Sequence, residues 1–286
     1  PLACMLLGGC MTVGPDYSPP VVDTPTNWNA TVDGVVRGGS LDSLALGQWW
    51  LVLEDPVLND LMNRAQQNNL DLKQAEARLR QARAQRRLTG SERLPQASVG
   101  ATARRSRGSE QTGAGSSETV TTYAHSLDAS WELDLFGGKR RAAESAEASL
   151  QASQEALRDV MVSLLAEVGL NYVQYRSAQV RLSIVESNLV AQSETYNLAV
   201  WRQQANLVSQ LDVDQARVVL EQTRAELPTL RTSIHQTEHQ LAVLLGVAPG
   251  SLMKQLTTGA VRMPSTRSQV AIGVPADVLR QRPDVR

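Results

Sequence analysis

One predicted reversal of chain direction decides the fold of this sequence. It lies at Ala205-Asn206-Leu207-Val208-Ser209-Gln210-Leu211-Asp212. Asn206 tolerates the left-handed backbone that commonly ends a helix. Ser209, with Asp212 three positions later, has the spacing of a helix N-cap with an acidic capping box. The stretch therefore predicts a tip at residues 205–212, where one helix ends and a second helix runs back.

The segment before this tip predicts a helix too long for a globular core. From Lys139 to Ala205 the sequence contains no proline and one glycine, Gly169. At about 1.5 Å per residue, a helix of this extent would be roughly 100 Å long. After the tip, packing residues recur at steps of three and four until Gly246, which suits a helix C-terminus. Residues 139–246 are therefore predicted to form a long antiparallel helical hairpin.

The composition favours long helices packed side by side over an aromatic-rich core. The chain has 286 residues, 42% of them hydrophobic, but only one Phe, and its formal net charge is −1. This near-neutral charge gives no basic footprint for nucleic acid. Five arginines do cluster within residues 78–87, but acidic residues flank them, so we interpret them as a solvated helix face.

Both cysteines lie in the first ten residues, within Leu2-Ala3-Cys4-Met5-Leu6-Leu7-Gly8-Gly9-Cys10. An apolar run that ends in small residues is typical of the end of an export signal. Its last four residues also resemble a bacterial lipobox, in which the cysteine becomes the lipidated first residue of the mature protein. Residues 1–10 are therefore predicted to be a partial lipoprotein signal with Cys10 as the lipidation site, and a plain secretory signal is the alternative.

Two further segments precede the long helices. Residues 11–55 are punctuated by proline and are predicted to be an extended tether. Helical periodicity begins after Asp55 and continues through residues 56–93, the first helical segment. We expect Asn68-Asn69 to interrupt it, with Asp71 and Gln74 as caps of the restarted helix. No run of about 18 apolar residues indicates a transmembrane helix.

The hydrophobic period changes from about 3.5 to about 2 within residues 95–136, which predicts a β-hairpin. One face of its second run is apolar and aromatic, and the other face is acidic. A Gly/Ser/Thr-rich loop, residues 108–122, separates the two runs and is predicted to be extracellular. The residues of the apolar face are predicted to face lipid and are Tyr123, Leu127, Trp131, Leu133 and Leu135. The residues of the acidic face are predicted to face a lumen and are Asp128, Glu132 and Asp134.

The surroundings of this hairpin favour a membrane, although half-buried soluble strands also alternate. Each run has about 13 residues, enough for a tilted strand to cross a bilayer. A lone hairpin between long helices has no other sheet to pair with, and unpaired strand edges are forbidden in lipid. We therefore expect it to join other hairpins in a closed β-barrel. The acidic face would favour cations in the pore, or would simply provide a polar lining for a wet lumen.

Five segments follow one another in a characteristic order: the lipobox, Gly14-Pro15-Asp16-Tyr17, Trp131-Glu132-Leu133-Asp134-Leu135-Phe136-Gly137, Leu207-Val208-Ser209-Gln210-Leu211-Asp212-Val213 and Ala242-Val243-Leu244-Leu245-Gly246. This ordered set resembles the outer membrane efflux protein family, the TolC/OprM-like channels, in the lipoprotein branch called NodT. The resemblance covers essentially the whole chain. It implies a mainly α fold with a membrane β-hairpin, in which long antiparallel coiled-coil helices form an α-barrel tunnel and the strands contribute to a trimeric outer-membrane β-barrel.

Family members are built from two similar halves, and the resemblance places this chain in the N-terminal half. Residues 247–286 resemble the linker and the start of a truncated second repeat. The gating residues of the family lie mainly in the second half and are not found here. At the tip, Asn206 stands where the family usually has glycine.

The function that the resemblance implies is an outer-membrane exit duct of a tripartite efflux pump, with no enzymatic activity and no cofactor. The implied partners are two further copies in a homotrimer, a periplasmic adaptor, an inner-membrane RND-type transporter and outer-membrane lipid. A type I protein-secretion duct and a structural periplasmic coiled-coil lipoprotein are the alternatives. The implied adaptor contact is Asn206, Leu207, Val208, Ser209, Leu211 and Asp212, unless these residues only cap and turn the helices.

A rival pattern is His235-Gln236-Thr237-Glu238-His239, which matches the H-x-x-E-H motif of a zinc peptidase. The packing stripe of this helix leaves His235, Glu238 and His239 on other faces, and no clear third ligand follows. We therefore predict neither a metal site nor a catalytic residue in this segment.

Overall fold

The computed structural model describes residues 13–20, 35–37, 47–108, 119–258, 261–265, 270–272 and 279–286. Within these ranges the chain is mainly helical with one antiparallel hairpin, which confirms the predicted fold class. In chain order the elements are β1 (Val35–Arg37), a 3-10 helix (Trp49–Leu53), α1 (Pro56–Asn68), α2 (Leu70–Ser91), β2 (Gln96–Arg107), β3 (Thr119–Ser130), α3 (Gly138–Gln204), α4 (Gln210–Leu244), α5 (Met253–Leu256) and β4 (Val270–Ile272).

Several predicted boundaries differ from this order. The predicted tether, residues 11–55, contains β1, which pairs in parallel with β4, and the 3-10 helix, which carries the buried Trp50. The tether prediction was wrong there because local composition does not reveal a distant strand partner or a core position. Residues 119–122 of the predicted loop belong to β3. Residues 109–118 of that loop, and the signal segment with Cys10, lie outside the described residues.

The chain divides into two compact units. The first comprises Pro1–Val21 and Arg78–Gln154 and carries the β2–β3 hairpin, so we call it the hairpin unit. The second comprises Val22–Ala77 and Glu155–Arg286 and carries the hydrophobic core, so we call it the core unit. None of the helices in the described ranges has an apolar stretch long enough to cross a bilayer.

The core unit is organised around α1, which buries one face completely. Its inward positions are spaced by three, one and three residues, as expected for one face of an α-helix. A fully buried Leu or Met side chain contributes about 1.5–3 kcal/mol to the stability of the fold, so the three such residues on this face are a large stabilising contribution. The buried residues of α1 are Leu58, Leu61, Met62 and Ala65, and they belong to one cluster with Val168 and Tyr172 of α3, Leu241 of α4 and Leu252 and Leu256.

Gly169, the one glycine of α3 after its first residue Gly138, is explained by a close approach. A Cβ added at Gly169 would lie 2.8 Å from Cη2 of Trp49 and 3.3 Å from Cε of Met62. Real Cβ atoms essentially never show the 2.8 Å contact, so the Trp49 ring would have to shift if residue 169 carried a side chain. Gly169 therefore lets the 3-10 helix and α1 pack directly on α3.

A polar network joins the start of α1 to α3 and α5. Asp55 caps α1 by accepting hydrogen bonds from the amides of Val57 and Leu58, at 2.9 and 3.2 Å. Its other oxygen accepts the Tyr172 hydroxyl at 2.6 Å. Burial, followed by this bond to Asp55, raises the pKa of Tyr172 to about 12. The buried Arg176 donates to the Tyr172 hydroxyl at 3.0 Å and to the Leu256 carbonyl at 3.1 Å.

The break between α1 and α2 falls at the predicted place but has a different cap. Asn69 is buried, and its Oδ1 accepts the amide of Leu72 at 2.8 Å. Its Nδ2 donates to the Leu244 carbonyl at 2.9 Å, which ties the break to the end of α4. The prediction that Asp71 and Gln74 would cap the restart was wrong, because the core fixes Asn69 in that role.

Candidate functional site

The tip is a tight connection of five residues between α3 and α4. Asn206 has the left-handed backbone, with φ of 59°. The amide of Leu207 donates to the Arg202 carbonyl and that of Asn206 to the Gln203 carbonyl, both at 2.9 Å. These two bonds form a Schellman motif with Asn206 at the left-handed position. Asn206 therefore ends α3 as its residue type predicts.

The start of α4 carries the predicted capping box. The amide of Ser209 donates to Asp212 Oδ2 at 2.8 Å, and the amide of Asp212 donates back to Ser209 Oγ at 3.4 Å. The Ser209 hydroxyl also donates to Asp212 Oδ2, at 2.6 Å. That hydroxyl, and then the Ser209 amide, lower the pKa of the Asp212 carboxyl. Both residues therefore have a structural role whatever else the tip does.

Ser209→Ala is expected to loosen the first turn of α4 by about 1 kcal/mol, because it removes the N-cap acceptor. Faster amide hydrogen exchange at residues 210–213 of the full-length protein would show this effect. The pKa of Asp212 is lowered in the folded protein. The stability that its ionised carboxylate contributes is therefore present at neutral pH and is lost as the pH falls below the ordinary pKa of 3.8. Ser187→Ala, at an exposed serine within α3, is the control and should leave tip exchange unchanged.

The remaining tip side chains present an apolar surface. Leu207 is 73% exposed and Leu211 is 64% exposed, while Val208 is partly buried. Trp201, one turn before the end of α3, is also 65% exposed and was missed by the sequence-based reasoning. Its signal in the sequence is a large aromatic residue next to a predicted tip. The structure thus brings all six predicted tip residues together. Asn206, Ser209 and Asp212 form the turn, Leu207 and Leu211 are exposed, and Val208 is partly buried.

The hairpin has an uninterrupted antiparallel register. Val99 pairs with Leu127, and Ala103 pairs with Tyr123. Directly opposed residues point to the same face, so Val99, Leu127, Ala103 and Tyr123 share one face, which also carries His125 opposite Ala101. Val99 is 82% exposed and Leu127 is 77% exposed. Asp128 is paired with Ser98 on the other face.

Five predicted hairpin residues lie beyond the strands, because β3 ends at Ser130. The residues concerned are Trp131, Glu132, Leu133, Asp134 and Leu135. Their placement on a strand was wrong, since side-chain contacts hold this segment as a connector to α3. Trp131 Nε1 donates to the Arg93 carbonyl at 3.2 Å, and Glu132 forms an ion pair with Lys139 at 3.0 Å.

The Asp134 carboxylate accepts hydrogen bonds from backbone amides at the start of α3. Its Oδ2 accepts the amide of Arg140 at 2.8 Å. Desolvation alone would raise the pKa of Asp134, but hydrogen bonds from the backbone amides of residues 137–140 lower it below its ordinary value. Carboxylates are favoured at a helix N-terminus for this reason. Of the predicted acidic face, only Asp128 therefore lies within a strand.

The Gly14-Pro15-Asp16-Tyr17 motif is fastened to this same connector. The amide of Val13 donates to the Phe136 carbonyl at 3.0 Å, and Arg141 Nε donates to the Val13 carbonyl at 3.0 Å. Arg141 Nη2 donates to Asp16 Oδ1 at 2.6 Å. The hydrogen bond from Arg141 is the main cause of the lowered pKa of Asp16. Arg141 therefore fixes residues 13–16 near the end of the hairpin.

The H-x-x-E-H segment lies in α4 and does not form a metal site in the structure. No cluster of His, Cys, Asp or Glu that could hold a metal occurs among the described residues. Glu238 is buried rather than on an outer face, which corrects the sequence-based placement. The buried face of α4 is wider here than the predicted stripe and takes in Thr237, Glu238, Leu241 and Ala242.

Comparisons with known proteins agree with these features. The family model described as outer membrane efflux protein matches residues 61–247. Nodulation protein T of Rhizobium leguminosarum bv. trifolii is 32% identical over 288 residues, covering 100% of this chain and 59% of the relative. The pyoverdine export outer membrane protein OpmQ of Pseudomonas putida is 34% identical over 245 residues, covering 83% and 51%. The solved structure of the outer-membrane channel OprN matches with a TM-score of 0.77 at 35% identity, covering 95% of this chain and 60% of OprN.

The matched region includes the hairpin, both long helices and the tip. The chain spans 59% of the length of nodulation protein T and 51% of that of OpmQ. The resemblance inferred from the ordered sequence segments is confirmed, and the chain belongs to the outer membrane efflux protein family.

Proposed function

We propose that this chain is part of the outer-membrane exit channel of a tripartite efflux pump, through which drugs or other small molecules pass passively from the periplasm to the exterior. The observation that carries the proposal is the exposed apolar face of the β2–β3 hairpin, with Val99, Tyr123 and Leu127 each more than 70% exposed. Large apolar side chains exposed together on one face favour a surface that contacts lipid or protein. Because the family is one of outer membrane efflux proteins, lipid is the expected contact of this face.

Closure of the barrel then requires further strands. β2 and β3 have 12 residues each, which exceeds the roughly 9–11 needed for a tilted transmembrane strand. Lipid cannot satisfy the unpaired amides and carbonyls at the two outer edges of the hairpin, so the edges must pair with other hairpins. A homotrimer supplies them. Asp128 on the opposite face would then line a wet lumen.

A lipid anchor at Cys10 fits the same arrangement. Cys10 lies three residues before Val13, a span of at most about 11 Å of extended chain. Val13 is bonded to Phe136 and held by Arg141, in the segment that follows β3. Acyl chains on Cys10 would therefore enter the leaflet that surrounds the periplasmic end of the barrel, while the barrel itself provides permanent insertion.

The tip would contact a periplasmic adaptor, which in turn engages an inner-membrane transporter of the RND type. Asn206, Ser209 and Asp212 are engaged in the turn, so the contact energy would come from Leu207 and Leu211. Exposed apolar side chains on a rigid turn are suited to binding, because little conformational entropy is lost on association. The transporter supplies the energy, and the channel contributes no chemistry.

Leu207→Asp combined with Leu211→Asp is expected to reduce drug resistance to that of a strain without the protein. Burying two new carboxylates at an interface costs several kcal/mol, whereas the turn is held by backbone hydrogen bonds and by the side chains of Ser209 and Asp212, which these substitutions do not remove. Bacterial growth at graded drug concentrations would measure the effect. The matched control, L207M with L211M, should keep resistance. Full resistance in the double-Asp variant would reject the docking role and leave these residues as turn components.

The channel function itself is tested by reconstitution of the full-length protein in planar bilayers. We expect trimers that resist SDS until heated, with stepwise ion conductance. A protein that forms long helices and carries lipid but never conducts would instead be a structural envelope lipoprotein. Export of a protein cargo, rather than of small molecules, in complemented cells would favour a secretion duct.

A further inference from the structure

The hairpin unit contains a groove of about 710 Å³ where the end of α2 meets the start of α3. We call it the arginine groove. It is bordered by Leu94, which follows α2, and by charged side chains of both helices. The charged residues that line it are Arg86, Arg87, Arg93, Arg140, Glu144 and Glu147.

The two glutamates of the arginine groove already have partners. Glu147 accepts Arg86 Nε at 2.8 Å, and Glu144 accepts Arg141 Nη1 at 2.7 Å. Arg140 Nε lies 3.8 Å from Glu144. Among the described residues, no ion pair and no hydrogen bond involves the guanidinium groups of Arg87 and Arg93. The groove therefore presents two exposed guanidinium groups whose charge is not balanced locally.

Exposed apolar side chains lie beside this charge. Leu94, which borders the groove, is 63% exposed, and Trp131 is 58% exposed. Trp131 is fixed to this region by its bond to the Arg93 carbonyl. Aromatic residues concentrate where a barrel meets the headgroups, and guanidinium groups pair readily with phosphate oxygens. The combination matches the two parts of a phospholipid.

We propose that the arginine groove binds the headgroup phosphate of a phospholipid in the inner leaflet of the outer membrane. Arg87 and Arg93 donate to the phosphate oxygens, while Leu94 and Trp131 contact the first methylenes of the acyl chains. The inference rests on the proposed function, since it requires β2 and β3 to span that membrane. It assigns Arg87, one of the five clustered arginines, a role other than that of a solvated helix face.

The test is native mass spectrometry of the full-length protein in detergent, titrated with phosphatidylglycerol. R87Q with R93Q should bind the lipid with an about thirtyfold higher Kd than the wild type, equivalent to about 1 kcal/mol for each basic residue at an anionic surface. R78Q with R83Q removes two exposed arginines of the same helix outside the groove, and it should bind lipid as the wild type does.

The outcomes separate this inference from the channel function. If all three proteins insert and conduct but R87Q with R93Q retains lipid like the wild type, the lipid site is rejected and the channel stands. An equal loss of lipid in the R78Q and R83Q control would also reject it, because general charge would explain the binding. If the wild type neither inserts nor conducts, both proposals fail together. Selective loss in R87Q with R93Q, with conductance kept, supports the site.

Discussion

Gly246→Ala should lower the free energy of unfolding by about 3 kcal/mol, far more than an ordinary glycine substitution. Gly246 has φ of 63°, a left-handed conformation that costs other residues about 1–2 kcal/mol. In addition, an added Cβ would lie 2.8 Å from the Asn68 carbonyl oxygen. This oxygen belongs to the backbone at the end of α1 and cannot rotate away, so overpacking costs roughly another 1–3 kcal/mol. The thermal unfolding midpoint of the full-length protein, followed by circular dichroism, measures the effect.

Gly250→Ala is a closely matched control. Gly250 has φ of 82°, so alanine meets the same kind of backbone strain, but no atom lies within 4 Å of its added Cβ. We expect about 1–2 kcal/mol from the strain alone. Equal losses in the two variants would contradict the claim that close packing against Asn68 selects glycine at position 246.

The same comparison explains why two similar helix ends carry different residues. Both α3 and α4 end in a Schellman motif, with Asn206 and Gly246 at the left-handed positions. The tip is exposed around Asn206, so its side chain fits, whereas Gly246 faces the end of α1. The sequence was sufficient to predict both helix ends, because capping is local chemistry. It could not distinguish the two environments, because the contact with Asn68 is made by residues far apart in the chain.

The end of the hairpin shows the same limit. Alternation continued through Leu135, yet β3 ends at Ser130, because Trp131, Glu132 and Asp134 are held by Arg93, Lys139 and Arg140. A period of two describes which faces could be apolar, and hydrogen bonds outside the strand decide where pairing stops. The long helices were predictable because their hydrophobic period persists over many turns, which makes the assignment independent of the exact position of either end.

Leu127→Arg is expected to prevent insertion of the full-length protein into the outer membrane. Leu127 lies on the exposed apolar face opposite Val99, within a strand of sufficient length to span a bilayer. An arginine on the lipid face of a barrel costs about 2–4 kcal/mol at the bilayer midplane and less toward the interfaces, and a trimer repeats this cost in each copy. We expect the variant to be absent from outer-membrane fractions and to be degraded in the periplasm, as immunoblots of fractionated cells would show.

Asp128→Arg places the same side chain one residue further along β3, on the opposite face. If that face lines a wet lumen, arginine remains hydrated there, so the D128R protein should insert and form SDS-resistant trimers. The ion selectivity of its pore should shift toward anions, because each copy exchanges a negative charge for a positive one. The contrast between adjacent positions tests the orientation of the hairpin directly. Normal insertion of Leu127→Arg, or equal loss of both variants, would mean that the apolar face does not contact lipid and would remove the main support for a channel.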